Sequence, residues 1–121
     1  MLGEGIIQES MAGHAARNSE LLQELRRKGA KLNMPQSVEH HFWADDQKSA
    51  ASLARELYRR GFLVLVIAPV VDAEDGEKRI WNVEAGVQRT LTQAADPAIT
   101  EELVRLAAEF DATYDGWGTN V

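Results

Sequence analysis

The feature that most constrains the fold of this chain is the run FLVLVIAPV, which spans Phe62 to Val70 and contains no polar side chain. It has about half of the ~20 residues that a helix needs to cross a bilayer. Its β-branched residues favour a strand over a short helix, and it is too apolar for a surface strand. The run therefore predicts a buried strand, and with it a sheet.

Three other segments are typical of strands. Ser37 to Ala44 is rich in β-forming residues, and Lys78 to about Val87 follows a turn signal at Asp75-Gly76. The apolar run and the strand after this turn are predicted to form a hairpin. The tail from Thr113 contains a second Asp-Gly pair, which indicates a turn with a short terminal strand.

Helical periodicity occurs in three places. A short amphipathic helix is predicted from Ser19 to the residue before Gly29. A second helix, capped by Asp45 or Asp46, ends near Gly61, and a third begins at Asp96-Pro97 and runs to about residue 111. Residues 1–17 have three glycines and little periodicity, so they predict a flexible leader before a single domain of residues 18–121.

After the first helix, the predicted order of elements is βαββαβ. This order predicts an α+β, ferredoxin-like sandwich with a mainly antiparallel four-stranded sheet and an additional N-terminal helix. Its helices cover one sheet face and leave the other open unless the extra helix or a partner covers it. The usual strand order would place the apolar second strand at an edge, where natural proteins avoid such strands, so either the order is altered or the edge is covered.

The adjacent histidines His40 and His41 are the first candidates for a metal site. Neighbouring strand residues point to opposite faces, and neither histidine has a second ligand at chelating spacing. We expect His40 to be neutral and hydrogen-bonded beside Val38 and Phe42, and His41 to be exposed. The chain has no cysteine, which removes thiolate ligands, disulfides and a cysteine nucleophile.

Three further segments imitate functional sites. The acidic segment from Asp72 to Gly76 lacks the spacing of a calcium loop and is typical of a solvated turn. The pair Asp45-Asp46 is explained by helix capping, and no lysine or helix follows Gly116 and Gly118 as a phosphate loop requires. The sequence therefore predicts no catalytic centre, no cofactor and no metal.

The charge and the hydropathy pattern restrict the partners. Nineteen acidic and thirteen basic residues give a net charge of −6, which disfavours direct nucleic-acid binding and suits either a basic protein partner or a merely solvated surface. No segment reads as a membrane span or as a secretory signal, so a cytoplasmic protein is expected.

Two other classes of function stay open. An enzyme or small-ligand domain would show a buried pocket with converging polar groups. A direct RNA binder would expose Trp43 or Trp81 beside an arginine on the open sheet face. For Trp117 we favour burial and a structural role over an exposed binding role.

The end of the chain, YDGWGTNV from Tyr114 to Val121, follows a helix and resembles the closing signature of the RraB family, the regulators of ribonuclease E activity. A second match lies upstream, between Pro35 and the apolar strand, and the resemblance covers roughly residues 19 to 121. The candidate structural or partner-binding positions that carry it are Val38, Glu39, His40, Phe42, Gly61, Phe62, Tyr114, Asp115, Gly116, Trp117 and Gly118.

The resemblance implies a ferredoxin-like sandwich with an additional helix. It also implies a non-catalytic protein that binds ribonuclease E and inhibits its RNA cleavage, with no catalytic residues to carry over. The alternatives are a protein-binding domain of the same fold with a different partner, or a small-ligand or RNA-binding ferredoxin-like domain.

Overall fold

The computed structural model of the chain describes residues 3–71 and 79–119. The elements in chain order are α1 (Glu4–Arg27), β1 (Gln36–Ala44), α2 (Gln47–Arg59), β2 (Leu63–Val71), β3 (Arg79–Arg89), α3 (Leu91–Ala94), α4 (Pro97–Glu109) and β4 (Ala112–Gly118). The turn predicted at Asp75-Gly76 and the acidic segment around it lie outside the described residues.

The four strands form one sheet in the order β2-β3-β1-β4, in which every neighbouring pair is antiparallel. This is the strand order of a ferredoxin-like sheet, so the predicted α+β fold and the pairing of the second and third strands are confirmed. Along the central strand β1, Val38, His40 and Phe42 are fully buried, while Glu39 and His41 alternate with them on the other face.

The helices α2 and α4 begin where the sequence predicts. The Asp46 side chain accepts a hydrogen bond from the Ser49 amide at 2.8 Å, and Asp96 caps α4 in the same way from Ala98, with Pro97 in the first turn. These caps satisfy amide groups that a helix start leaves without partners. Buried residues of both helices join one apolar core with the inner face of the sheet.

The N-terminal helix is much longer than predicted. The expected leader of residues 1–17 is wrong for residues 4–17, which form the first half of α1. Its buried residues are Ile7, His14, Asn18 and Leu25, and this spacing of seven, four and seven places them on one helical face. Two of the four are polar, so the pattern of apolar residues in the sequence does not reveal this buried face.

The position of α1 is set by α4 and β4. It packs along α4, and Glu4 forms an ion pair with Arg105 at 2.6 Å. The extra helix therefore lies with the other helices and leaves the opposite sheet face open among the described residues. None of the helices described is long and apolar enough to span a membrane.

The apolar strand β2 lies at the free edge of the sheet. The strand order is the usual one, so the prediction that this strand is buried is wrong. Leu63, Leu65 and Ile67 are 65%, 45% and 44% exposed. Alternate residues of β2 are only partly covered, so the apolar composition of this strand reflects more than packing inside the chain.

Candidate functional site

The residues that carry the family resemblance fall into a buried group and a surface group. The buried residues are Val38, His40, Phe42, Phe62, Tyr114 and Trp117, whereas Glu39, Gly61, Asp115, Gly116 and Gly118 are half-buried or exposed. The two segments that are distant in sequence meet where β1 pairs with β4, since Phe42 lies opposite Tyr114 and His40 opposite Trp117.

Four of the buried residues, His40, Phe42, Phe62 and Tyr114, form what we call the aromatic cluster. The Tyr114 ring lies 5.2 Å from the Phe42 ring and 5.8 Å from the His40 ring, centroid to centroid. Phe62 meets His40 edge-to-face at 5.8 Å. The Nδ1 atom of His40 shares a hydrogen bond of 2.8 Å with the Tyr114 hydroxyl. The contacts of the cluster thus join β1 and β4 to the residue that precedes β2.

Arg89, which sequence reasoning missed, lies against the aromatic cluster. Its guanidinium is 5.5 Å from the centroid of the Phe62 ring, within cation–π range. Burial, aided by the positive charge of Arg89, lowers the pKa of His40 to about 3. Burial also raises the pKa of Tyr114. His40 and Tyr114 are therefore neutral at physiological pH, and the prediction of a neutral, hydrogen-bonded His40 is confirmed.

Trp117 is buried, as predicted, at 7% exposure. It packs in a second apolar cluster with Val38 of β1, Leu25 of α1 and Leu91 of α3. Its indole Nε1 donates a hydrogen bond of 2.9 Å to the Oδ1 atom of Asn18. Asn18 in turn donates to the Thr100 hydroxyl at 3.3 Å. The indole therefore joins α1 and α4 to the edge of the sheet.

His14 provides a second polar link between α1 and β4. Its Nε2 atom lies 3.0 Å from the main-chain oxygen of Tyr114, and an Arg17 guanidinium nitrogen lies 3.0 Å from its Nδ1 atom. Because a carbonyl oxygen only accepts, Nε2 carries the proton and Nδ1 accepts from Arg17. Burial and the charge of Arg17 lower the pKa of His14. This role is not predictable from the local sequence, because His14 lies in the segment that predicts a flexible leader.

The Asp115-Gly116 pair forms a β-bulge within β4, and the predicted turn is wrong. The register with β1 shifts between His41 and Phe42, which face Gly116 and Tyr114 respectively. The extra residue is Asp115, and Gly116 has a φ of +119°, a conformation that other residues adopt only with strain. The Asp115 side chain is exposed, and no hydrogen bond joins it to the described residues.

The open sheet face carries His41, Trp43 and Glu39 from β1. His41 is half-buried and its Nδ1 lies 3.1 Å from a carboxylate oxygen of Glu84, so the prediction that it is exposed is wrong. Trp43 is half-buried between Asn82 and Thr113, while Trp81 packs against the core. The described part of this face thus lacks the tryptophan beside an arginine that RNA stacking would favour.

Two of the hollows on the described surface are lined in part by strand residues. One, of about 610 Å³, is a solvent-exposed groove between α1 and the bulge, lined by both acidic and basic side chains. The other, of about 460 Å³, lies on the open face beside β2, and Leu63, Leu65, Gly86 and Glu39 are among the residues that line it. Within residues 3–71 and 79–119, no three His, Asp or Glu side chains gather as metal ligands would.

Comparison with known proteins assigns the family. The model of the family described as "Regulator of ribonuclease activity B" matches residues 15–119. A protein of that name from Alteromonas mediterranea is 33% identical over 84% of this chain and 76% of its own length. Those from Photobacterium profundum and Escherichia coli are 32% and 31% identical, over 83% and 82% of this chain and 75% and 70% of their own lengths.

The matched region contains α1 from residue 15 onward, the aromatic cluster and the buried Trp117. The structure therefore accounts for the signature as the set of contacts that closes this fold. On the family match and the three relatives together, the chain belongs to the RraB family of regulators of ribonuclease activity.

Proposed function

We propose that this protein binds ribonuclease E and lowers its RNA cleavage, with no catalysis of its own, in the bacterial cytoplasm. The observation that supports it best is the set of exposed apolar side chains of β2, which includes Leu63, Leu65 and Ile67, on a chain whose family regulates ribonuclease activity. Contiguous exposed apolar side chains are typical of protein-binding surfaces. A regulator that acts by contact needs such a surface.

The chemistry of the described residues supports regulation by contact over catalysis. The titratable side chains of the aromatic cluster, His40 and Tyr114, are buried and neutral. A general acid or base needs a pKa near the working pH and access to the substrate. The net charge of −6 opposes RNA binding and favours a basic protein segment. The protein would then restrain the enzyme without competing for the phosphate backbone.

Isothermal calorimetry with ribonuclease E from the same organism tests the proposal. We expect binding at low salt that weakens as salt rises, and slower cleavage of an RNA substrate when this protein is saturating. The inhibition should reach a plateau that does not depend on the RNA concentration if RNA is not the ligand. Absence of both binding at low salt and inhibition at saturation would leave the family assignment in place and exclude this partner.

A further inference from the structure

Glu39 stands apart from the other charged side chains of the open sheet face. It lies on the central strand, and its cross-strand partners are Gly86 on β3 and Gly118 on β4. Neither glycine has a side chain, so Glu39 has no directly opposed partner on either side. It forms no ion pair within the described part of the chain. The next acidic residue of the face, Glu84, is already paired with His41 at 3.1 Å.

Gly86 is part of the lining of the hollow beside Glu39. A Cβ atom built on Gly86 would lie 3.2 Å from the Cδ1 atom of Leu65, so Leu65 occupies the space above this strand position. Leu63 and Leu65 form the apolar wall, and Glu39 is the one charged residue of the hollow's described lining. The hollow of about 460 Å³ thus combines an apolar wall with a single carboxylate.

An apolar wall beside one carboxylate suits a side chain with an apolar stem and a cationic end. Lysine and arginine have this form, because their methylene groups pack on apolar surface while the charged group seeks an acceptor. Arginine fits better, since its planar guanidinium binds a carboxylate with two hydrogen bonds and is enriched at binding hot spots. The net charge of −6 attracts such a partner and disfavours a second copy of this chain.

Addition of a partner strand along the whole free edge of β2 is less suitable. Pro69 lies within β2 and has no amide hydrogen to donate. Proline is tolerated in a sheet where that missing donor would face solvent, so it interrupts the free edge. Contact through side chains on the open face avoids this interruption.

We infer that the hollow formed by Glu39, Leu63, Leu65 and Gly86 receives a basic side chain, preferably arginine, from a segment of ribonuclease E. Apolar residues that flank the arginine pack on Leu63 and Leu65. The inference rests on the proposed function, because it names the contact surface for that partner. The signature residues then hold the sheet, and the hollow on its open face binds the partner.

Calorimetry with ribonuclease E and three variants tests the surface. We expect Glu39→Gln to weaken binding at least about tenfold and to reduce its dependence on salt, because it removes the charge and keeps the shape. Gly86→Ala should also weaken binding, since it displaces Leu65 and narrows the hollow. Glu109→Gln, an exposed carboxylate on the opposite side in α4, is the matched control and should stay within about twofold. Melting curves establish that each variant is folded.

A tripeptide probe separates failure of the surface from failure of the partner. Acetyl-Leu-Arg-Leu-amide, titrated into the ¹⁵N-labelled protein, should shift the amide signals of Glu39, Leu65 and Gly86, and the norleucine analogue should shift them far less. If these amides do not respond to the arginine peptide, or if Glu39→Gln binds ribonuclease E like the wild type, the inference is wrong.

Two further outcomes are distinguishable. If ribonuclease E does not bind the wild type but the arginine peptide shifts these amides selectively, the proposed partner is wrong and the preference of the hollow for a basic side chain stands. If sedimentation shows a dimer that Leu65→Ser dissociates, the occupant is a second copy and the inference is overturned.

Discussion

The two edges of the sheet are built in opposite ways. At one edge, β4 is joined to α1 through the His14 contact with the main chain of Tyr114 and the Trp117 bond to Asn18. At the other edge, β2 exposes Leu63 and four further large apolar residues, Leu65, Ile67, Val70 and Val71. Natural proteins blunt or cover an apolar edge. Side-chain hydrogen bonds tie the first edge to α1, whereas no described residue covers the exposed apolar side chains of the second.

This difference separates the part of the fold that the family signature marks from the surface at which we propose that the partner binds. The large signature residues of β4, Tyr114 and Trp117, are buried and hold the helices to the sheet, so a sequence match there indicates the fold. The apolar residues of β2 contribute less to the core, and several of them are exposed on the surface. On our proposal the partner surface lies near the edge formed by β2, and Glu39 is the one signature residue that belongs to it.

The largest expected effect is loss of stability on replacement of Trp117. Trp117→Ala removes a large buried side chain and leaves Asn18 without its donor, so we expect the free energy of unfolding to fall by about 3 kcal/mol. Urea unfolding followed by circular dichroism measures it. Trp43→Ala, a half-buried tryptophan of the open face, is the matched control and should cost clearly less. A variant of unchanged stability would show that β4 is not closed as described.

The second prediction concerns acid. Burial holds the pKa of folded His40 at about 3, below its ordinary value of 6.5, so the unfolded chain binds more protons as the pH falls through 6.5. The contribution of neutral His40 to the free energy of unfolding is therefore complete above pH 6.5 and is lost progressively as the pH falls below 6.5. His40 alone should lower the free energy of unfolding by about 2 kcal/mol between about pH 7.5 and pH 5. His14 acts in the same direction, since its pKa is also lowered.

Denaturant unfolding across this pH range measures the loss. His40→Gln has no proton to gain, so its stability should change much less over the same window even though the variant starts from a lower value. The range from about pH 7.5 to pH 5 lies above the ordinary pKa values of aspartate and glutamate. Protonation of carboxylates therefore contributes little to the measured change. An equal pH slope in the variant would show that His40 is not the group responsible.

The third prediction isolates the polar link between α1 and Trp117. Asn18→Ala removes the acceptor of the indole Nε1 hydrogen and the donor to Thr100. A buried donor left without a partner costs about 1.5 kcal/mol, so the loss should be about half of that for Trp117→Ala. Asn82→Ala, on the open face, is the control. If the two asparagine variants lose equal stability, α1 does not close this edge through Asn18.

Much of the fold follows from local sequence signals, and the exceptions have physical causes. The caps at Asp46 and Asp96 and the alternation along β1 are local, so the sequence predicted those elements. The first half of α1 was missed because His14 and Asn18 interrupt its apolar stripe with buried polar groups whose partners lie about a hundred residues away. Such partners exist only once the chain has folded.

The residues of the candidate site also differ in whether the local sequence indicates their role. The resemblance indicated the residues of the aromatic cluster and Trp117, because they occur in short segments with unusual composition. Arg89 and Gly86 could not be predicted from the local sequence. A single arginine at the end of a strand gives no local signal, and a single glycine within a strand indicates at most a bulge. Their roles come from cross-strand neighbours, which depend on register. The exposed position of β2 follows from strand order, which composition alone does not determine.

The smallest expected effect on stability belongs to β2. Leu63 is 65% exposed, and a substitution at such a position usually changes the free energy of unfolding by no more than about 0.5 kcal/mol. Leu63→Ser should therefore unfold at nearly the same urea concentration as the wild type. We expect the same result at low and at high protein concentration, since a free edge does not depend on a second copy. If the variant loses more than about 2 kcal/mol, and the loss grows with protein concentration, β2 is covered in solution by another copy of the chain. Both edges of the sheet would then be covered, β4 by α1 of the same chain and β2 by a second copy of the chain.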